Sequence, residues 1–320
     1  MTDKDVTQVV QADAAGIAKA APILAAGGLV AVPTETVYGL AARADDGAAV
    51  AKIYAAKGRP GFNPLIVHVR DVAHAREYAQ WSDGADTVAK AYWPGPLTLV
   101  LPRRGDAALA DAVTAGLPTV ALRVPAHPVM QSLLRQIDFP LAAPSANRSG
   151  FISPTIPAHV LATLDGRIDL ILDAGPCESG VESSILAIHA DGTWQELRPG
   201  PIDLNAAHWQ IHGSEIGAPV QPTLIEAPGQ LANHYAPGKP VRLNASEVAQ
   251  DEFLIGFADI QGDCTLSSTG DLEEAAARLY DCLHRGAASD KPRIAVAPVP
   301  EAGLGRAIND RLRRAAAPAA

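Results

Sequence analysis

Cysteine is scarce in this chain. Of 320 residues only three are Cys: Cys177, Cys264 and Cys282. The number is odd and no two stand in C-x-x-C spacing. This speaks against a structural zinc and for a reducing, cytoplasmic setting in which the thiols are buried or idle. Long apolar runs are missing too. Each is broken by glycine or charge, so no membrane span is expected. The opening stretch MTDKDVTQVVQADAAG lacks the basic start and apolar core of a signal peptide. Fixed-period repeats and low-complexity tracts are absent. A basic excess is absent as well: the net charge is −9, divided as −5 over residues 1–207 and −4 over residues 208–320. Neither half is a basic nucleic-acid platform, although a local basic cleft is compatible with that balance. The P-loop G-x-x-x-x-G-K-[ST], the G-x-S-x-G elbow, H-E-x-x-H and G-x-G-x-x-G do not occur. No hydroxyl or thiol has an obvious neighbouring base, so a covalent serine or cysteine mechanism is unsupported.

What is there is a long chain with 48% hydrophobic residues, enough for two domains with sizeable cores. Up to about residue 207, strand and helix signals alternate. Short apolar runs at Gly28–Val32, Pro64–Val69, Pro96–Pro102, Thr119–Pro125, Phe139–Asn147 and Arg167–Gly175 read as strands. Asp46–Gly58 reads as a helix with an acidic start and a glycine stop, and Asp71 caps a second. Ser183–Gly200 reads as a hairpin turned by Asp191-Gly192. Crossovers plus a hairpin imply an α/β domain with a mixed sheet. A polar stretch follows, and the pattern then restarts. PVRL, EFLIGFA and Arg293–Val299 are strands. Leu272, Ala276, Leu279 and Leu283 share one helical face between an Asp271 cap and a Gly286 stop. The expected organisation is a catalytic domain over residues 1–210, a linker over 211–239, and a small Rossmann-like α/β domain over 240–320. That last unit has no dinucleotide fingerprint.

Four polar clusters interrupt otherwise apolar strands: PTETVYGLAA, KGRPGFNPLIVHV, APSANRSGFISPT, and GVESSI with LRPG. In open α/β sheets, ligands bind where strands end. Lys57 and Arg59 are two cations on a Gly/Pro-stiffened helix end, suited to a polyphosphate as point charge and bidentate fork. They equally suit a solvated helix terminus. Ser145 and Asn147 flank Ala146, so both side chains are expected on one side. Arg123, inside the strand TVALRVP, needs a partner or a cleft. His234 and Tyr235 stand in APGQLANHYAPGKPV, a stretch that otherwise reads as a connector.

Taken together and in order, VPTETVYGL, KGRPGFNPLIVHV, WPGPLTLVL, ALRVP, APSAN, GVESSI and LRPG resemble the YrdC-domain proteins. The HYAP linker and the terminal GLGRAINDRLRRAA resemble the long, two-domain L-threonylcarbamoyladenylate synthases of that family, over about Ala14 to Arg314. The resemblance implies a YrdC-like twisted mixed sheet with helices. It also implies a nucleotidyltransferase that joins L-threonine, bicarbonate and ATP, with magnesium carried by ATP and not by protein ligands, and releases pyrophosphate. A separate enzyme then transfers the product to tRNA, so direct tRNA binding is not required for this step. By similarity, ATP falls to Lys57, Arg59, Asn63, Thr119, Ser145, Asn147, Ser153, Arg198 and Tyr235, with Lys57 and Arg59 central to catalysis. L-Threonine falls to Thr36, His68, Arg123, Ser183 and the backbone at Ala143. Tyr235 implies a linker that folds back as a lid. Gln230 and Asn233 precede His234 where the family often has Met, Lys or Arg, which leaves an added cation on the phosphates unsupported. The alternative is a non-catalytic, RNA-binding or ribosome-associated YrdC-like protein, against which the acidic balance weighs.

Overall fold

The computed structural model describes residues 6–204 and 234–317. Most of the expected linker, including Gln230 and Asn233, lies outside the described residues; His234 and Tyr235 lie within them.

Fourteen strands are present among the described residues, ten of them in one sheet. In chain order these ten are β1 (Gln8–Gln11), β2 (Val30–Val32), β3 (Gly39–Arg43), β4 (Ile66–His68), β5 (Leu97–Pro102), β6 (Thr119–Arg123), β7 (Leu141–Ala142), β8 (Leu170–Asp173), β9 (Ser184–Ile188) and β10 (Trp194–Arg198). Across the sheet they run β1-β8-β2-β3-β7-β4-β6-β5-β9-β10. Parallel pairs such as β4–β6 and β5–β9 mix with antiparallel pairs such as β2–β3 and β5–β6, so the mixed α/β expectation holds. The β9–β10 hairpin turns at Asp191-Gly192 as read from the sequence; the Asp191 carboxylate accepts from the Thr193 amide at 2.9 Å. The stretch Phe139–Asn147 keeps only two strand residues, because after Ala142 the chain enters the polar loop that builds the site.

Seven helices pack on this sheet: α1 (Ala14–Ala25), α2 (Gly47–Lys57), α3 (Val72–Ala75), α4 (Asp83–Tyr92), α5 (Asp111–Thr114), α6 (Pro128–Gln136) and α7 (Pro157–Leu164). On one face α1 and α6 bury Ile17, Leu24, Met130 and Leu134; on the other, α2 and α4 bury Val50, Ile53 and Val88. Helix α2 begins as expected, with the Asp46 carboxylate accepting from the Ala48 amide at 2.8 Å, and ends at Gly58 with φ +58°.

The remaining strands are β11 (Val241–Arg242), β12 (Glu252–Gly256), β13 (Cys264–Thr265) and β14 (Arg293–Val296), in a parallel sheet ordered β11-β14-β12-β13. Helices α8 (Leu272–Ala288) and α9 (Leu304–Ala315) cover it. Two expectations fail here. Gly286 does not stop α8, which runs on to Ala288. A side chain at Gly286 would press on Ile294 and Phe253, so the glycine serves close helix–sheet approach. Nor are all three thiols idle: Cys264 and Cys282 form a disulfide joining β13 to α8, with Cα atoms 5.8 Å apart, while Cys177 stays free and buried. Spacing alone hid the pair, because 18 residues separate the two. Val37, Ile152 and Val181 from the large-sheet part share one apolar cluster with Leu279, Leu283, Ile308 and Leu312. The C-terminal part is thus seated on the first by continuous core packing. No helix among the described residues is long and apolar enough to cross a membrane.

Candidate active site

The clusters meet where β3, β4, β6 and β7 end. Parallel pairing of β4 with β6 sets His68 opposite Arg123. The loop after β2 brings Thr34, Glu35 and Thr36 against them. Arg123 donates to a Glu35 carboxylate oxygen at 2.7 Å and to Thr36 Oγ1 at 3.0 Å. Burial alone would raise the Glu35 carboxyl, but the Arg123 guanidinium overrides it and holds the group below its ordinary range. So the cation inside the strand has a protein partner, one that the sequence reading did not single out. His68 is pushed down to about 3, first by burial and then by Arg123, and is therefore neutral.

Of the fourteen residues nominated by sequence, nine line one cleft: Thr36, Arg59, His68, Arg123, Ala143, Ser145, Ser183, Arg198 and Tyr235. His234 and Glu182 line it too. Its volume in this conformation is about 50 Å³. Arg198 reaches from the end of β10 and donates to the Ser183 carbonyl at 3.0 Å and to Ser183 Oγ at 3.1 Å. Arg59 donates to the Asn63 and Pro64 carbonyls at 3.3 and 3.0 Å, and burial lowers its guanidinium to about 10.

The other five lie outside the lining. Lys57 is only 1% exposed. Its ammonium donates to the Ser145 and Asn147 carbonyls at 2.6 and 2.5 Å, so it pins the polar loop from behind. Burial, then Arg59, pushes its pKa well below the usual lysine range. Ser145 faces the cleft but Asn147 does not: its amide donates to the Arg148 and Phe151 carbonyls, both at 2.8 Å. The expected common side for that pair fails because the loop has left strand geometry. Ser153 donates to Glu182 at 2.5 Å. Asn63 sits behind Arg59, and Thr119 opens β6 at the far end of the strand from Arg123.

Tyr235 is fully buried, at φ +66°, with its ring 5.5 Å from Tyr280 and the Arg311 guanidinium 5.7 Å from its centroid. Among the described residues its hydroxyl has no hydrogen-bond partner, and the same holds for His234 Nδ1, His68 Nδ1, Asn63 Oδ1 and Asn147 Oδ1. Buried polar atoms are nearly always paired; three of these unpaired ones, on His68, His234 and Tyr235, belong to residues that line the cleft. Glu182, Tyr280 and Arg311 were not nominated. Their only sequence signal was a Glu inside GVESSI and a Tyr and an Arg within helical segments. No group of three or more His, Cys, Asp or Glu among the described residues is arranged to hold a metal ion.

A cleft at strand ends, lined by three arginines and several hydroxyls with His234 and Tyr235 in its wall, defines an α/β protein with a polar ligand cleft. The particular family is shown by comparison. The Sua5/YciO/YrdC model, described as telomere recombination, matches residues 22–200, and a model described as the threonylcarbamoyl-AMP synthase C-terminal domain matches residues 203–317. The chain belongs to the Sua5/YciO/YrdC family, in its two-part Sua5 form. It is similar to a threonylcarbamoyl-AMP synthase of Bacillus subtilis, 41% identical over 98% of this chain and 96% of that one. A Pyrococcus abyssi threonylcarbamoyl-AMP synthase is 36% identical over 92% of each chain. The crystal structure of P. abyssi Sua5 complexed with L-threonine superposes with a TM-score of 0.85 at 34% identity, covering 97% of each chain.

Proposed function

We propose that this chain makes L-threonylcarbamoyladenylate from L-threonine, bicarbonate and ATP, acting as a nucleotidyltransferase that releases pyrophosphate. It is an enzyme, and its product would feed the threonylcarbamoyl modification of tRNA through a separate transfer enzyme. The observation that carries this reading is the 41% identity to a protein of that name over nearly the whole of both chains. The cleft's chemistry agrees with it. Threonine's amine and bicarbonate give a carbamate with loss of water. A carbamate oxygen attacks the α-phosphorus of ATP, the bond to the β-phosphate oxygen breaks, and pyrophosphate leaves. Such a displacement needs positioning and charge stabilisation and no protein nucleophile. Magnesium enters in this scheme as the counter-ion of ATP, and no step is routed through a protein-held metal.

In the same proposal, Thr36, neutral His68, Arg123, Ser183 and the Ala143 backbone hold threonine. Arg59, Ser145, Arg198 and Tyr235 meet ATP. Lys57, Asn63, Thr119, Asn147 and Ser153 support it from behind that lining. For Arg123 to take a carboxylate it must share its fork with Glu35. A cleft of about 50 Å³ holds one or two waters, far below the several hundred Å³ of a nucleotide-sized site. ATP therefore enters after His234 and Tyr235 swing out, and the segment closes over it as a lid that excludes water from a labile carbamate. The division at residues 1–210, 211–239 and 240–320 belongs to this proposal.

The test is pyrophosphate release with ATP and magnesium, omitting threonine or bicarbonate in turn. Release that needs both is expected. A folded protein that releases none would overturn the proposal.

A further inference from the structure

One carboxylate, Glu182, lines a cleft that, on the reading above, takes a polyanion, and a second, Glu35, lies behind it. Glu35 is met by Arg123 from its own domain. Glu182 is met from elsewhere. Its carboxylate accepts from Arg311 Nε at 3.0 Å and from the Tyr280 hydroxyl at 2.7 Å, and both residues belong to the C-terminal part. It also accepts from Ser153 Oγ. Arg311 has no exposed surface at all, and its other nitrogens reach the Pro199 and Glu182 carbonyls and Asp310. The loop bearing Glu182 lies directly on α8: Gly180, at φ +67°, leaves no room for a side chain against the backbone of Ala276 and Ala277. Arg198, the neighbouring cleft cation, donates to the neutral Ser183 carbonyl and hydroxyl and feels Glu182 through space.

We propose that the C-terminal part acts in the reaction as a charge shield: Arg311, with Tyr280, neutralises and positions Glu182, so that Arg198 and Arg59 keep their positive field for the phosphates of ATP. This rests on the adenylate-forming reading. Without Arg311, a buried carboxylate would stand beside the phosphates and cancel Arg198. Like charges brought together in a desolvated site are strongly repelled. ATP carries several negative charges, while threonine is a zwitterion with none net, so the effect falls on ATP. Burial opposes the Glu182 charge, yet Arg311, then Arg198, Ser153 and Tyr280, hold the carboxyl down to about 2, so it is ionised at neutral pH.

The test is ATP affinity by titration calorimetry on full-length wild type, Arg311→Met, Glu182→Gln and the double variant, with circular dichroism confirming the fold. Threonine affinity and pyrophosphate release are measured on the same samples. Affinity for ATP should follow the buried charge, with Arg311→Met weakest, on the order of tenfold or more below wild type. The double variant should regain affinity, and threonine binding should change far less. Arg311→Lys, which keeps a positive charge, should bind ATP better than Arg311→Met. A double variant that binds ATP no better than Arg311→Met, or equal losses for ATP and threonine, would overturn the shield. Should Arg311→Met not fold, Glu182→Gln and the double variant decide. Both buried charges leave together in the double variant, which is the milder change for stability. Weaker ATP binding by Glu182→Gln than by the double variant sinks the idea. Wild type that binds ATP but releases no pyrophosphate overturns the reaction and leaves the shield to be judged on binding.

Discussion

His159 on α7 and His284 on α8 stack across the seam between the two parts, with ring centroids 3.7 Å apart and planes 14° from parallel. The bonds fix His159 as neutral, and burial favours the neutral form of both. His159 Nδ1 accepts from the Thr155 amide at 3.3 Å, and His284 Nε2 donates to the Ser153 carbonyl at 3.1 Å. Burial lowers His159 to about 4; burial and then the neighbouring His159 lower His284 to about 3. Among the described residues the carboxylate facing them is Asp281, 3.6 Å from His159 Nε2. Both folded-state values lie below the unfolded value of about 6.5, so the unfolded chain binds more protons between them. Their contribution is therefore full above pH 6.5 and is lost as pH falls toward 4. From pH 7 to 5 each histidine gives up about 2 kcal/mol. Replacing His284 with Gln keeps the donor to Ser153 and removes one titrating ring. Urea unfolding of wild type and His284→Gln at pH 7, 6 and 5, followed by far-ultraviolet circular dichroism, measures the difference. The variant's loss between pH 7 and 5 should be smaller by about 2 kcal/mol. Equal losses in both proteins would refute the claim that this seam holds a buried neutral pair.

Three more outcomes are expected. Tyr235→Phe keeps the ring stack and removes a hydroxyl without a partner, so stability should change by less than about 0.5 kcal/mol while pyrophosphate release drops; unchanged turnover would remove Tyr235 from the site. Breaking the Cys264–Cys282 bond by reduction or by double alanine substitution frees a loop with a sequence separation of 18 residues, which by chain entropy should lower stability by about 3 kcal/mol. Finding three free thiols in denatured, unreduced protein would contradict the pairing. Gly180→Ala drives a side chain into the α8 backbone at a positive φ and should destabilise by about 2 kcal/mol or more in urea; a loss too small to measure would mean that the loop bearing Glu182 is not seated on α8.

The elements legible in the sequence are those whose signal is local. Apolar runs gave the central strands, Asp46 and Asp71 gave helix starts, and Asp191-Gly192 gave the hairpin. Several misses share a cause: what explains the residue is a tertiary contact that no local pattern records. Gly286 looked like a stop until Ile294 and Phe253 were placed against it. Glu182 looked like one polar residue among serines, because its partner Arg311 is 129 residues away. Arg123 announced that it needed a partner, but no pattern could say that Glu35, 88 residues earlier, would supply it. Most of the nominated site residues do converge, because many sit at strand ends that the sheet order brings together, while Arg59 comes from the end of α2 and Tyr235 from the connector.

The cations that converge are treated differently, and the difference bears on what the cleft is for. Arg123 has a carboxylate. Lys57, Arg59 and Arg198 have hydrogen bonds to carbonyls and a hydroxyl, which satisfy donors but bring no opposite charge. Burial consequently pushes the pKa of all three downward. A buried cation held only by neutral dipoles is expensive for the folded state. Glu182, a carboxylate that lines the same cleft, is hydrogen-bonded by Arg311 and acts on Arg198 through space. On the proposed reading, Arg59 and Arg198, which line the cleft, present oriented donors to an arriving anion, while Lys57 holds the loop behind them. Preorganised charge of this kind stabilises a polyphosphate and the pyrophosphate it releases without rearranging at the moment of reaction. Binding of ATP should then raise the protein's melting temperature by more than the same concentration of adenosine does; equal shifts would mean that the cations are structural and that the phosphates gain nothing from them.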